Sequence, residues 1–219
     1  MSSKSSIPSA AVHLEVELKA NKHVALAFFR GNWCPFCAGW TQTLDKDFVP
    51  GFVKIGGKVI AFTAQDDELA QKAQKDWKLS FDVFSDPENE LAKRFRVAIS
   101  DKEGYPNGMA QPALIILTKG GEKELFNWRI QPSVMNLGGA KDRPHPKDVL
   151  DLVKARLSGQ DEAKFTEIRA FDSAYLKENY GELYAGVEQY VSSVGGEVKK
   201  VFEADVAKGG SKIKIDSAS

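Results

Sequence analysis

Apolar residues along this chain follow two rhythms. Residues 23–30, HVALAFFR, form an unbroken apolar run of strand length, the pattern of a strand covered on both faces. After GNWCPFC the spacing changes. Phe36, Trp40 and Leu44 recur at helical intervals, so a helix is expected as far as about Phe48. GGKVIAFTAQ supplies a second buried strand, entered through the turn residues Gly56 and Gly57. Asp66 and Asp67 open an Ala- and Lys-rich helix, an acidic start that suits the helix dipole. FDVFS reads as a short strand. In DPENELAKRF, Asp86 is expected to cap a helix with Pro87 at its first position.

Beyond a polar loop with Gly104, Pro106 and Gly108, ALIILTKGGEKELFNWRI predicts a hairpin. Its strands cover 113–118 and 122–130 and turn at Gly120 and Gly121. The loop NLGGAKDRPHP leads into a helix over KDVLDLVKARL. This order implies parallel strands with right-handed crossovers and an antiparallel edge. The fold class is therefore α/β, a mixed sheet flanked by helices over residues 12–158. After Gly159 no strand-like run occurs. Phe165, Ile168, Phe171 and Tyr175, then Leu183, Val187, Val191 and Val194, recur every three or four residues. That spacing predicts a helical extension over 159–207. Its apolar stripes suit packing on the chain's own domain or a homodimer interface through these helices. The Ser-rich residues 1–11 and the tail 208–219 are expected to be flexible.

Composition narrows the function. Lys and Arg together number 30, as do Asp and Glu, so the formal net charge is zero. A balanced surface argues against nucleic acid or an anionic membrane as partner, since both need a basic footprint. No apolar run approaches the roughly 18 residues that a membrane span needs. MSSKSSIPSA lacks the apolar stretch of a secretory signal, and a cytoplasmic protein is expected.

Only two cysteines occur, Cys34 and Cys37, and their closeness in a reducing compartment points to redox chemistry. Pro35 is favoured at the first position of a helix, which puts Cys34 at the N-cap with its sulfur facing the free N–H groups of Phe36 and Cys37. Those donors and the helix dipole favour a thiolate at Cys34. Cys37 lies one turn on, within reach of a disulfide, so Cys34 would attack an oxidised substrate and Cys37 resolve the adduct. Two plainer readings stand beside this one: half of a zinc site completed by the scattered His13, His23 and His145, or an inert buried pair.

FFRGNWCPFC after a buried strand, followed by MAQPALIILTKGG, resembles the thioredoxin-like superfamily, and within it the peroxiredoxin-like AhpC/TSA antioxidant proteins that carry a CxxC. The resemblance covers residues 12 to 157. It implies a thioredoxin-like sheet and a cis Pro112 facing the cysteines, exposing the backbone of Gln111 to a bound substrate chain. Laid on the peroxiredoxin pattern Pro-x-x-x-Thr-x-x-Cys, the sequence puts Cys37 at the position of the peroxidatic Cys and Cys34 at that of the Thr. Arg30 then stands for the Pro, and Pro112 for a later Arg. The thioredoxin-style assignment, with Cys34 attacking, is preferred because Pro35 starts the helix there.

Around the pair, Trp33, Pro35, Phe36, Gln111, Pro112 and Arg30 are the expected substrate contacts. Trp40 is read as a core residue and Arg129 as a weaker candidate. Gly138, Gly139, Lys141 and Arg143 in the NLGGAKDRP loop faintly suggest anion binding, although a plain connection fits them better. The function expected is thiol-disulfide oxidoreduction with thiol-peroxidase activity, on a disulfide or peroxide, with thioredoxin or glutathione as reductant and no bound cofactor or metal. The rivals are a glutathione transferase and a redox-sensing binding protein.

Overall fold

The computed structural model describes residues 9–160, 162 and 165–215. In chain order the elements begin with α1 (Ala10–Ala20), β1 (His23–Phe28), α2 (Pro35–Asp47), α3 (Val49–Lys54), β2 (Gly57–Thr63) and α4 (Asp67–Asp76). Next come β3 (Asp82–Ser85), α5 (Glu90–Arg94), β4 (Ile99–Ser100), β5 (Met109–Ala110), β6 (Ala113–Thr118) and β7 (Glu124–Arg129). The chain continues through β8 (Arg143–Pro144), α6 (Pro146–Ser158), β9 (Glu167–Phe171), α7 (Ser173–Asn179), α8 (Gly181–Val194), α9 (Gly196–Lys208) and β10 (Lys212–Lys214). No helix among the described residues is long and apolar enough to cross a membrane.

The main sheet has the order β3-β2-β1-β6-β7. β1, β2 and β3 are parallel, while β6 and β7 run antiparallel to their neighbours. Strand alternation sorts the buried side chains between two faces. Ala25, Ala27, Val59, Ala61, Leu114 and Ile116 join the larger core with α2, α4 and α6. Val24, Leu26, Ile60, Phe62, Ile115 and Leu117 join the smaller one, closed by Leu14 and Leu18 of α1 and Leu91 of α5. Each buried Val, Leu, Ile or Phe among them contributes about 1.5–3 kcal/mol. The mixed α/β sheet read from the sequence is therefore the observed one, hairpin included.

Several expectations are corrected. The N-terminal stretch is helical from Ala10, with Ser9 as its cap. α5 begins at Glu90, so Pro87 lies in the preceding turn. Asp86 still caps the helix, its carboxylate accepting from the N–H groups of Glu90, Leu91 and Ala92 at 2.9, 3.1 and 3.1 Å. The extension is not wholly helical. Residues 167–171 form β9, which pairs with β8 and β10, because Ile168 and Ala170 alternate with exposed Glu167 and Arg169. The tail likewise folds at β10, and the flexible ends expected over 1–8 and 216–219 lie outside the described residues.

The apolar stripes of the extension pack on the chain's own α2. Phe171, Leu176, Val187 and Val191 enter the larger core, and the hydroxyls of Tyr180 and Thr43 lie 2.7 Å apart. Gly39 makes this fit possible, since a Cβ there would stand 2.9 Å from Leu176 and 3.0 Å from Phe171.

Candidate active site

β1 ends at Phe28, and the chain crosses Gly31 and Asn32 before α2 begins. The turn is held by Gln65, whose side chain accepts from the Asn32 N–H at 2.7 Å and donates to the Asn32 side-chain oxygen at 2.9 Å. Cys34 is the N-cap of α2 and Pro35 its first residue, as expected. The Cys34 sulfur accepts from the N–H of Cys37 at 3.3 Å; the expected bond from Phe36 does not form. Both thiols are free and buried, at 2% and 0% exposure.

The group that joins them comes from far along the chain. Arg143, in β8, is fully buried, and its Nη2 lies 3.3 Å from the Cys37 sulfur and 3.8 Å from that of Cys34. Its Nε donates to the Ala140 carbonyl at 2.9 Å, and its guanidinium lies 5.6 Å from the Trp40 ring centre. Its Nη1 is buried without a hydrogen-bond partner. The segment read as a plain connection is thus built into the site. Lys141 is no anion site either, because two carboxylates, those of Asp142 and Asp205, already hold it.

These surroundings split the two thiols. Burial pushes Cys34 well above the ordinary thiol range, and its hydrogen bond to Cys37 and the charge there push further; Arg143 and Arg30 oppose this and lose. Burial also raises Cys37, but the hydrogen bond from Cys34, then Arg143 and Arg30, outweigh it and leave Cys37 well below the usual value. The helix-start argument for a thiolate at Cys34 missed a cation that stands closer to Cys37.

The other expected contacts divide. Trp33 is 43% exposed and lies between two cations, the Arg30 guanidinium at 5.1 Å and the Lys102 ammonium at 5.0 Å from its ring centre. Its Nε1 donates to the Tyr105 hydroxyl at 2.7 Å, which in turn donates to the Arg30 carbonyl at 2.9 Å. Burial raises the Tyr105 phenol and keeps it protonated for that role. These groups close over Gly31, where a Cβ would collide with the Tyr105 hydroxyl and approach Trp33 Nε1 to 2.6 Å. Pro35 is half-buried. Phe36 is buried in the core, as is Trp40, whose Nε1 donates to the Pro144 carbonyl at 3.0 Å.

Pro112 is buried and its peptide bond is trans, as are all those among the described residues. The Gln111 N–H is taken by the Ala98 carbonyl at 2.8 Å, and its side chain donates to Ser100 at 2.8 Å. The backbone platform expected at Gln111 is therefore not presented. Arg129 is tied to Glu124 at 2.7 Å and to the Phe95 carbonyl at 2.6 Å, with no bond to either sulfur. Sequence reasoning overlooked Tyr105 and Gln65 and undervalued Arg143. The one available signal was a cation directly before a helix start in DRPHP.

Comparison with known proteins follows the same lines. The sequence model of the AhpC/TSA family matches residues 10–122. Among solved structures, the chain is similar to a Cys-to-Ser variant of PrxQ from Xylella fastidiosa, with a TM-score of 0.50 and 18% identity over 64% of this chain and 80% of that one. It is also similar to the bacterioferritin comigratory protein of Xanthomonas campestris, at 0.49 and 19% over 63% and 81%. A third is peroxidoxin BcpB from Mycobacterium tuberculosis, at 0.49 and 15% over 67% and 84%. No curated protein matches the chain in sequence.

Proposed function

This chain belongs to the AhpC/TSA family and is a thiol-peroxidase oxidoreductase, and from that premise we propose that Cys37 is its attacking sulfur and Cys34 its resolving one. The observation that carries this reading is the 3.3 Å contact between the Arg143 guanidinium and the Cys37 sulfur, where both sulfurs are almost fully buried. In a low-dielectric site a fixed cation favours the thiolate far more than it would in water.

The Cys37 thiolate attacks the nearer oxygen of a hydroperoxide. The O–O bond breaks, Cys37 becomes a sulfenic acid, and the departing alkoxide or hydroxide takes a proton and leaves as alcohol or water. Arg143, through its unpaired Nη1, supplies a donor for the developing oxygen charge, the part that Pro112 cannot play at the family's Arg position. Cys34 is kept protonated until this point by its burial. Its thiol then displaces the sulfenic hydroxyl, releasing water and forming the Cys34–Cys37 disulfide. A thiol reductant of the thioredoxin or glutathione kind returns two electrons through thiol-disulfide exchange. The near-complete burial of both sulfurs favours a small peroxide over a protein disulfide as first substrate, with Trp33, Arg30 and Pro35 at the mouth of the site.

The test is oxidation of the reduced protein by hydrogen peroxide, followed by trapping of sulfenic acid with dimedone. Cys37→Ser should abolish the fast phase, whereas Cys34→Ser should react at nearly full speed and accumulate a dimedone adduct at Cys37. An adduct at Cys34 in the Cys37→Ser protein, formed at the wild-type rate, would reverse the two roles.

A further inference from the structure

We propose that Lys141 and Asp205 are positioning residues for the peroxidase: their buried ion pair ties the C-terminal helices to the segment carrying Arg143 and thereby sets the reactivity of Cys37. This rests on the reading of Cys37 as the attacking thiolate.

Arg143 is poorly placed to hold itself. It sits in a strand of two residues, and the approach to it is backbone that side chains disfavour, with φ of +53° at Leu137 and +62° at Asp142. Gly138 and Gly139, at +65° and +90°, extend the same stretch. Such a segment stays in one conformation only when its surroundings over-determine it.

The surroundings that do so belong to the extension. Lys141 is 4% exposed, and its ammonium contacts both oxygens of Asp142 at 2.8 Å and Oδ1 of Asp205 at 3.1 Å. Asp205, in α9, spends its other oxygen on the N–H of Ser173 at 3.0 Å, at the first residue of α7. One residue earlier, Asp172 caps α7 through the N–H of Tyr175 at 2.9 Å and holds the tail through that of Ser211 at 2.9 Å. The next residue back, Phe171, pairs with Arg143 across β8 and β9. Residues 141–143 are thus fastened to residues 171–173 by a strand pair at one end and a buried ion pair at the other.

A pair of this kind is not explained by stability. Burying two charges costs about as much as their attraction returns, and apolar replacements often do as well. What the pair does enforce is register, since one methylene of slip would leave the Asp205 carboxylate buried without its cation. A guanidinium 3.3 Å from one sulfur and 3.8 Å from the other needs register of that quality.

The experiment measures alkylation of Cys37 by iodoacetamide against pH, by peptide mass mapping of the full-length reduced protein, together with the rate of oxidation by hydrogen peroxide. Asp205→Asn should move the Cys37 midpoint upward by about one pH unit and slow alkylation below it about tenfold. Lys141→Arg, which keeps the charge, should stay near wild type. Asp148→Asn breaks a partly exposed ion pair to Arg169 of β9 and should leave the midpoint unmoved, which separates register from general loosening. A folded Asp205→Asn protein with the wild-type midpoint overturns the proposal. If Asp205→Asn does not fold, Asp205→Glu takes its place: a smaller shift in the same direction supports the proposal and an unmoved midpoint overturns it. Arg143→Met distinguishes the two readings. Should that variant leave the midpoint unmoved, the assignment of Cys37 itself fails; should it shift while the Asp205 variants do not, only the positioning role fails.

Discussion

The stretch from Ala10 to Glu122 and the stretch from Ser133 to Lys214 are built on different principles. In the first, which the family model matches, the sheet faces are filled by Val, Leu, Ile, Ala and Phe. Asp86 is the only buried ionisable group among its described residues apart from the two cysteines. The second stretch buries Lys141, Arg143, His145, Asp172 and Asp205. Apolar packing tolerates small shifts, because its energy follows area and volume. Buried charges do not, because each needs a partner at hydrogen-bond distance. The first stretch therefore makes the scaffold and brings the two thiols together, whereas the second adds the buried cation that favours a thiolate at Cys37.

If the two stretches form one cooperative unit, a core deletion in the second should be felt by the whole. Phe171→Ala removes a fully buried ring that packs at Gly39 of α2 and should cost about 3–5 kcal/mol in urea unfolding, in a single transition. Two separate transitions would mean that the second stretch folds on its own. Arg143→Met tests the division of labour directly. Stability should change little beside reactivity, and peroxide oxidation at neutral pH should slow about a hundredfold, comparable to losing a donor to a developing anion. The pH profile follows from the lowered Cys37: wild type should already be fast below the ordinary thiol range, and the variant should need a higher pH to reach the same rate.

Smaller effects sharpen the boundary. Tyr105→Phe removes the acceptor of Trp33 Nε1 and the donor to the Arg30 carbonyl, both within the first stretch. A loss of about 1 kcal/mol in urea unfolding is expected, with the Cys37 titration nearly unmoved. Asp148→Asn should cost under about 1 kcal/mol in the same assay, since its partner Arg169 is largely exposed.

Sequence rhythm served the first stretch well where burial was one- or two-sided. VALAF and ALIIL are apolar throughout and lie in the central strands β1 and β6. Pro35 announced the start of α2 and hence the N-cap at Cys34. Rhythm misled where spacing fitted two structures. Phe165, Ile168 and Phe171 are three apart, as on a helix face, yet Ile168 and Ala170 alternate as in a strand, and pairing with β8 decided for the strand. In α1, apolar Val12, Leu14, Val16 and Leu18 occupy every second position, and only Leu14 and Leu18 are buried. The order of the two thiols was beyond local pattern. It depends in part on a guanidinium more than a hundred residues away.

The distance in sequence between the sulfurs and their cation has a consequence for how the protein is made. At about 5–20 residues per second, synthesis passes Cys37 and reaches Arg143 only about 5–20 s later. Throughout that interval the nascent chain holds a dithiol without the partner that sharpens it, in a cell where stray peroxide would find a sharpened thiolate first. Because that contact comes from β8, the protein arms its cysteine only after the five strands of its main sheet have been made.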